Sequence, residues 1–82
     1  MISAYLFINL SSDNSDDTIL DSLKSIGEVK KAHRVYGTYD IVILIEAENT
    51  KILREVTLKS IRQLKFVHST MTLLSLSSYE RD

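Results

Sequence analysis

The fold turns on Ile41-Val42-Ile43-Leu44-Ile45-Glu46-Ala47, the most apolar stretch of the chain. Successive side chains of a strand point to opposite faces. Ile41, Ile43, Ile45 and Ala47 therefore line one side, and Val42 and Leu44 the other. Just before it stands Gly37-Thr38-Tyr39-Asp40, a short turn, and before that Val29 to Tyr36, which reads as a second strand. Lys30, Lys31, His33 and Arg34 mark that strand as exposed or at a sheet edge. Two strands this close across a glycine-containing turn form a hairpin.

Working outward, Ile2 to Leu10 alternates with the two-residue period of a strand: Ile2, Ala4, Leu6, Ile8 and Leu10 on one face, Tyr5 and Phe7 on the other. Ser11-Ser12-Asp13-Asn14 is a polar loop. Ser15 is placed to cap a first helix, with Asp16 and Asp17 near its positive end. Ile19, Leu20, Leu23 and Ile26 follow on an arc of about 120°. Gly27 is expected at the left-handed position that ends this helix. Asn49 or Thr50 caps a second helix running to about Leu64, with Ile52, Leu53, Val56, Ile61 and Leu64 on its buried side. Ser60 interrupts that arc and Leu58 lies outside it. Val67 to Leu76 is the last strand, and residues 77–82 are a polar tail.

The order is βαββαβ. This predicts an α+β, ferredoxin-like single domain over residues 1–82: a four-stranded antiparallel sheet with two helices on one face. The other face would carry Tyr5, Phe7, Val42, Leu44 and part of the last strand. Apolar groups on both sides of a sheet covered on only one side call for a partner. A face-to-face homodimer with those four residues at its interface is the simplest solution.

Composition excludes several classes. With 82 residues, no cysteine and no proline, the chain has one thin core and neither a disulfide framework nor a thiolate metal site. Small folds without such staples often gain stability by oligomerising. Ten basic and eleven acidic residues leave a net charge of −1, too little for a global field toward nucleic acid or membrane. No apolar run approaches the roughly 20 residues of a membrane span, and the N-terminus lacks the pattern of a signal peptide. A cytoplasmic location is expected.

Catalytic motifs are missing: no Walker A loop, GxGxxG, GxSxG or HExxH occurs. His33 and His68 stand 35 positions apart without metal-ligand spacing, and read as partly exposed strand residues. No metal or cofactor is expected. The ferredoxin-like topology also serves RNA binding through aromatic side chains on central strands, but Ile41 to Ile45 contains neither an aromatic nor a basic residue. Lys51, Arg54, Lys59, Arg62 and Lys65 form a stripe opposite the buried face of the second helix and read as a solvated surface. Asn9-Leu10-Ser11 matches a glycosylation sequon, which carries no weight without a secretion signal. Gly37-Thr38-Tyr39-Asp40 is more informative. Turn N–H groups can hold a carboxylate and Asp40 can pair with an ammonium, the two charges of an α-amino acid.

The segment Val35-Tyr36-Gly37-Thr38-Tyr39-Asp40-Ile41-Val42 resembles the "tGxyDi" hairpin of the Lrp/AsnC effector domain, also called RAM, for regulation of amino-acid metabolism. Val67-His68-Ser69-Thr70-Met71-Thr72-Leu73 resembles its "V-x-x-T-x-T" last strand, and Ile26-Gly27-Glu28-Val29-Lys30-Lys31-Ala32 its approach to the second strand. The resemblance runs from about Ile2 to Leu76. It implies sheets paired face to face as a dimeric α/β barrel, with dimers assembling into tetramers, octamers or rings. It also implies a small effector, typically an amino acid, bound between dimers. Gly37, Thr38, Tyr39 and Asp40 match the hairpin part of that site, and Thr70 and Thr72 its last-strand hydroxyls.

Family members typically carry an N-terminal helix-turn-helix, whereas this sequence enters the first effector-domain strand at once. The resemblance therefore implies a stand-alone domain that senses a small molecule, or joins full-length Lrp/AsnC regulators, without reading DNA through a recognition helix of its own. On this reading Asp40→Ala abolishes binding and leaves the fold intact. Two alternatives are a purely structural hetero-assembly module and a small dimeric α/β-barrel enzyme. The enzyme would have to draw on His33, His68 and Glu46. The topologically related ACT domains place a glycine-bearing turn after the first strand, and Ser11 to Ser15 has none.

Overall fold

The computed structural model describes residues 1–11 and 18–81. The elements are β1 (Ile2–Leu10), α1 (Thr18–Lys24), β2 (Val29–Arg34), β3 (Ile41–Ala47), α2 (Thr50–Glu55) continuing into a π-helical segment (Val56–Ile61), and β4 (Val67–Leu74). The four strands form one antiparallel sheet in the order β2-β3-β1-β4. The expected βαββαβ, ferredoxin-like architecture is the one observed.

Pairing register carries the alternation seen in the sequence into space. Leu6 lies opposite Ile43 and Ile8 opposite Ile41, and Ala4 opposite Ile45. All six are fully buried under the helices, joined by Ile19 and Leu23 of α1, Leu53 of α2, and Val56 and Ile61 of the π segment. Burying an aliphatic side chain of this size contributes about 1.5–3 kcal/mol, so these central rows dominate the core.

Local boundaries depart from the pattern in four places, each with an identifiable cause. The expected cap Ser15, with Asp16 and Asp17, lies outside the described residues. The first helix stops at Lys24 rather than Ile26. The Ser25 hydroxyl donates to the Ser22 carbonyl at 2.7 Å, and Ile26 N–H donates to Leu23 C=O at 3.1 Å. These bonds satisfy carbonyls that a helix end leaves open. Gly27 does not take the left-handed conformation expected of it; the one positive-φ residue among those described is Gly37, at φ +155°.

Second, β2 ends at Arg34 instead of Tyr36. Val35 N–H donates to Asp40 C=O at 2.9 Å and closes the hairpin loop. Tyr36 then stands fully in solvent. Third, the second helix is capped by Asn49, whose side chain accepts from Ile52 N–H at 2.9 Å, but its later half is π-helical and it finishes at Ile61. The interruption of the apolar arc at Ser60 is the sequence trace of this change in winding. Fourth, β4 stops at Leu74 rather than Leu76. Ser75 N–H still donates to Ser3 C=O at 2.9 Å, the last such bond to β1.

Ile43 sits at the centre of the sheet with 0% exposure. Ile43→Ala is expected to lower unfolding free energy by about 2–5 kcal/mol, read as a reduced urea midpoint at unchanged slope. A loss below about 1 kcal/mol would show that this row does not anchor the core.

Candidate functional site

The face of the sheet away from the helices carries two cross-strand rows. Lys31, Leu44, Tyr5 and Leu73 form one, and His33, Val42, Phe7 and Met71 the other. Directly opposed residues share a face, so the two rows make a single patch with an apolar centre. Tyr5, Met71 and Leu73 are each more than 40% exposed there, whereas Phe7, Val42 and Leu44 are half-buried. Polar groups border it: Lys31 and His33 along β2, Glu46 on β3, and Asn9, whose side-chain amide donates to Ser69 Oγ at 3.2 Å. A hollow of about 200 Å³ opens beside Tyr5, His33, Val42 and Leu44.

The hairpin loop folds toward this patch. Tyr39 packs on Phe7 with ring centroids 5.3 Å apart and planes inclined at 37°. Its hydroxyl donates to Met71 Sδ at 3.9 Å, a weak thioether contact. Tyr39 thus extends the apolar surface over the end of β1 and β4. Gly37 and Thr38 remain exposed at the loop tip. The φ of +155° at Gly37 is one that side chains with a Cβ rarely adopt, although a Cβ there would meet nothing within 4 Å. Backbone conformation, not crowding, fixes glycine at this point.

Asp40 ties the loop to the sheet. Its Oδ2 accepts from Leu10 N–H at 2.8 Å, its own N–H donates to Ile8 C=O at 2.9 Å, and its C=O accepts from Val35 N–H at 2.9 Å. Removing the Asp40 side chain therefore carries a cost in stability that the expectation of an intact fold did not include. Leu10 lies where the β1–β4 register shifts, so its N–H needs a side-chain acceptor. A carboxylate has lone pairs to spare for a further donor.

Thr70 and Thr72 stand elsewhere. They pair with Ile8 and Leu6, residues buried beneath the helices, so both threonines belong to the helix side of the edge strand β4. Within one subunit the structure brings Gly37, Thr38, Tyr39 and Asp40 together at one end of the open face and leaves Thr70 and Thr72 on the opposite one. Thr72 lines a groove against α2 and the π segment, with Arg54, Thr57 and Leu58. Sequence reasoning did not single out this groove; the broken arc at Ser60 and Leu58 was its only signal.

His33 and His68 are exposed on different edge strands, and all five cations of the second-helix stripe are exposed. Among the described residues, no three His, Asp or Glu side chains come close enough to hold a metal ion. No helix among them is long and apolar enough to cross a membrane.

The model of the Lrp/AsnC ligand binding domain matches residues 3–82. The chain belongs to the Lrp/AsnC ligand-binding domain family. Among solved structures, FFRP-DM1 superposes with a TM-score of 0.85 at 25% identity, over 93% of this chain and 100% of its own. Escherichia coli AsnC superposes with a TM-score of 0.89 at 26% identity, over 99% of this chain but 54% of its own, so the chain spans about half of AsnC. A complex of the transcriptional regulator NMB0573 from Neisseria meningitidis with L-Met has the same fold at 12% identity, with a TM-score of 0.85 over 98% of this chain and 53% of that one. No curated protein matches the chain by sequence. The family is one of regulatory ligand-binding domains.

The clasp at Asp40 has a measurable consequence. Asp40→Ala leaves the partly buried Leu10 N–H without an acceptor, which costs about 1–3 kcal/mol, and is expected to lower Tm by several degrees. A variant melting with the parent would show that the carboxylate does not fasten the loop to β1.

Proposed function

We propose that this chain is an effector-sensing assembly module: it pairs with a second copy through the open sheet face and binds an amino acid at the hairpin end, where subunits of neighbouring dimers meet. The observation that carries this reading is the position of the Gly37–Asp40 loop at the margin of an unpartnered apolar face. Tyr5, Phe7, Val42 and Leu44 form the dimer interface, together with Leu73, Met71 and Tyr39. An apolar centre with a polar rim is the usual anatomy of a protein interface.

At the loop tip, exposed Gly37 and Thr38 offer main-chain N–H groups and a hydroxyl to a carboxylate, while the Asp40 carboxylate offers a counter-charge to an ammonium. Thr70 and Thr72 lie on the other side of the sheet, so they can take part in this site only if a neighbouring subunit brings its own β4 to the loop. The L-Met held by NMB0573 supports an amino acid as the ligand class for this fold. Larger assemblies, from tetramer to ring, follow if the hairpin ends meet across dimers.

The module acts on transcription or metabolism through assembly, including with full-length Lrp/AsnC regulators, and not by reading DNA itself. Both helices spend their apolar faces on the sheet, which leaves neither free to enter a major groove. The location that suits such a role is the cytoplasm. No step of this function is catalytic, and it needs neither metal nor cofactor.

A thermal-shift panel of the twenty amino acids at millimolar concentration tests the reading. One amino acid, or a chemically related few, is expected to raise Tm by several degrees, the effect of about 2.7 kcal/mol at a hundredfold excess over Kd. Thr38→Val, an exposed change that spares the fold, should weaken the response severalfold. A flat panel, or a response indifferent to Thr38→Val, would contradict binding at the hairpin.

A further inference from the structure

The groove between the second helix and β4 has a chemistry unlike that of the hairpin. It holds about 260 Å³ and is lined by Thr50, Leu53, Arg54, Thr57, Leu58 and Thr72. That is just under the ~300–1,000 Å³ range of drug-sized ligand sites, a fit for a smaller molecule. Leu53 and Leu58 supply apolar walls. Arg54 is exposed and in no ion pair among the described residues. Its planar guanidinium matches a carboxylate with two parallel hydrogen bonds. The hydroxyls of Thr50 and Thr72 are further donors. Among the described residues no carboxylate lines the groove, so it offers an ammonium no counter-charge.

The winding of the helix accounts for the opening. From Val56 to Ile61 the backbone is π-helical, with Arg62 N–H donating to Thr57 C=O five residues back at 3.0 Å. The Thr57 hydroxyl donates to Leu53 C=O at 2.9 Å, at the junction of the two windings. Leu58, 43% exposed, stands at the rim. Short π segments are rare and occur frequently at functional sites. The sheet contributes too: Thr72 is exposed although it lies on the helix-covered face, because the helices leave the edge strand partly uncovered.

We infer that this groove is a second binding site, separate from the hairpin, for a small monocarboxylate with a short apolar body and no ammonium group, such as a branched-chain 2-oxo acid. Arg54 binds the carboxylate, the Thr50 and Thr72 hydroxyls orient it, and Leu53 and Leu58 take the alkyl chain. Selectivity against the corresponding amino acid comes from the cation in the groove and the lack of any acid beside it. This site is lined within one subunit; Thr72 is the one residue it would share with a hairpin brought up from a neighbouring subunit, and Arg54, Leu53 and Leu58 set it apart.

Titration of the ¹⁵N-labelled full chain with 4-methyl-2-oxopentanoate, and separately with leucine, tests it by amide chemical shifts. The 2-oxo acid is expected to move the Thr57, Leu58 and Thr72 amides along saturable curves, with leucine weaker by about tenfold or more. Arg54→Gln, an exposed change, should weaken 2-oxo acid binding by about tenfold or more, as loss of a charge-assisted bond implies. Thr72→Val should weaken it less. Each spectrum also reports whether its variant is folded. Absence of saturable shifts at these amides, equal binding of leucine, or an Arg54→Gln curve that overlays the parent would each overturn the assignment. Thr38 and Tyr39 amides report on the hairpin in the same experiment, so failure of one site is distinguishable from failure of the other.

Discussion

The apolar character of β3 on both of its faces governs the rest of this molecule. Ile41, Ile43 and Ile45 point into the helices and vanish from solvent, while Val42 and Leu44 on the reverse side are still half-exposed. A single layer of helices satisfies the first set only. Covering the second needs another layer, which none of the described residues supplies. The reverse side continues across β1 and β4 through Tyr5, Phe7, Met71 and Leu73, so the demand is that of a surface and not of a single side chain. Association through this face removes that area from water, and for a chain with a thin core the gain adds directly to stability.

The hairpin sits where this constraint meets solvent. Tyr39 leans on Phe7 and Met71, which belong to the apolar face, while the next residue, Asp40, fastens the loop to the main chain of β1. The exposed tip at Gly37 and Thr38 is thus mounted on two rigid supports. A ligand at the tip and a partner on the face share neighbours, a geometry in which each can alter the affinity of the other. The groove beside Arg54 lies on the opposite side of the sheet, lined by the second helix and the edge strand.

Much of this was legible in the sequence because strand alternation is a strict signal. The faces of β1 and β3 follow residue by residue from Ile2 to Leu10 and from Ile41 to Ala47, and so does the sheet that they form. Helix ends were less legible. After Lys24 the Ser25 hydroxyl, not Gly27, closes the turn, and local hydrogen bonds of this kind leave no periodic trace. The π winding after Glu55 showed only as a flaw in the apolar arc. The candidate site was legible in part. Gly37 is required by its backbone conformation and Asp40 by its bonds, so both would be recognisable in sequence whether or not a ligand binds there. Thr70 and Thr72 shared a motif with each other but not a location with the hairpin. Alternation along β4 counted from Phe7's partner Met71 puts them on the helix side, which motif likeness alone does not reveal.

The central claim is that the open sheet face is an interface between copies of this chain, and sedimentation equilibrium of the purified protein at micromolar concentrations tests it most directly. The account predicts a mass of at least twice the 9.4 kDa of one chain, falling toward the monomer when a charge is placed in the patch as Leu73→Glu. A parent chain that sediments as a monomer throughout that range, or a Leu73→Glu variant that assembles as the parent does, would contradict it.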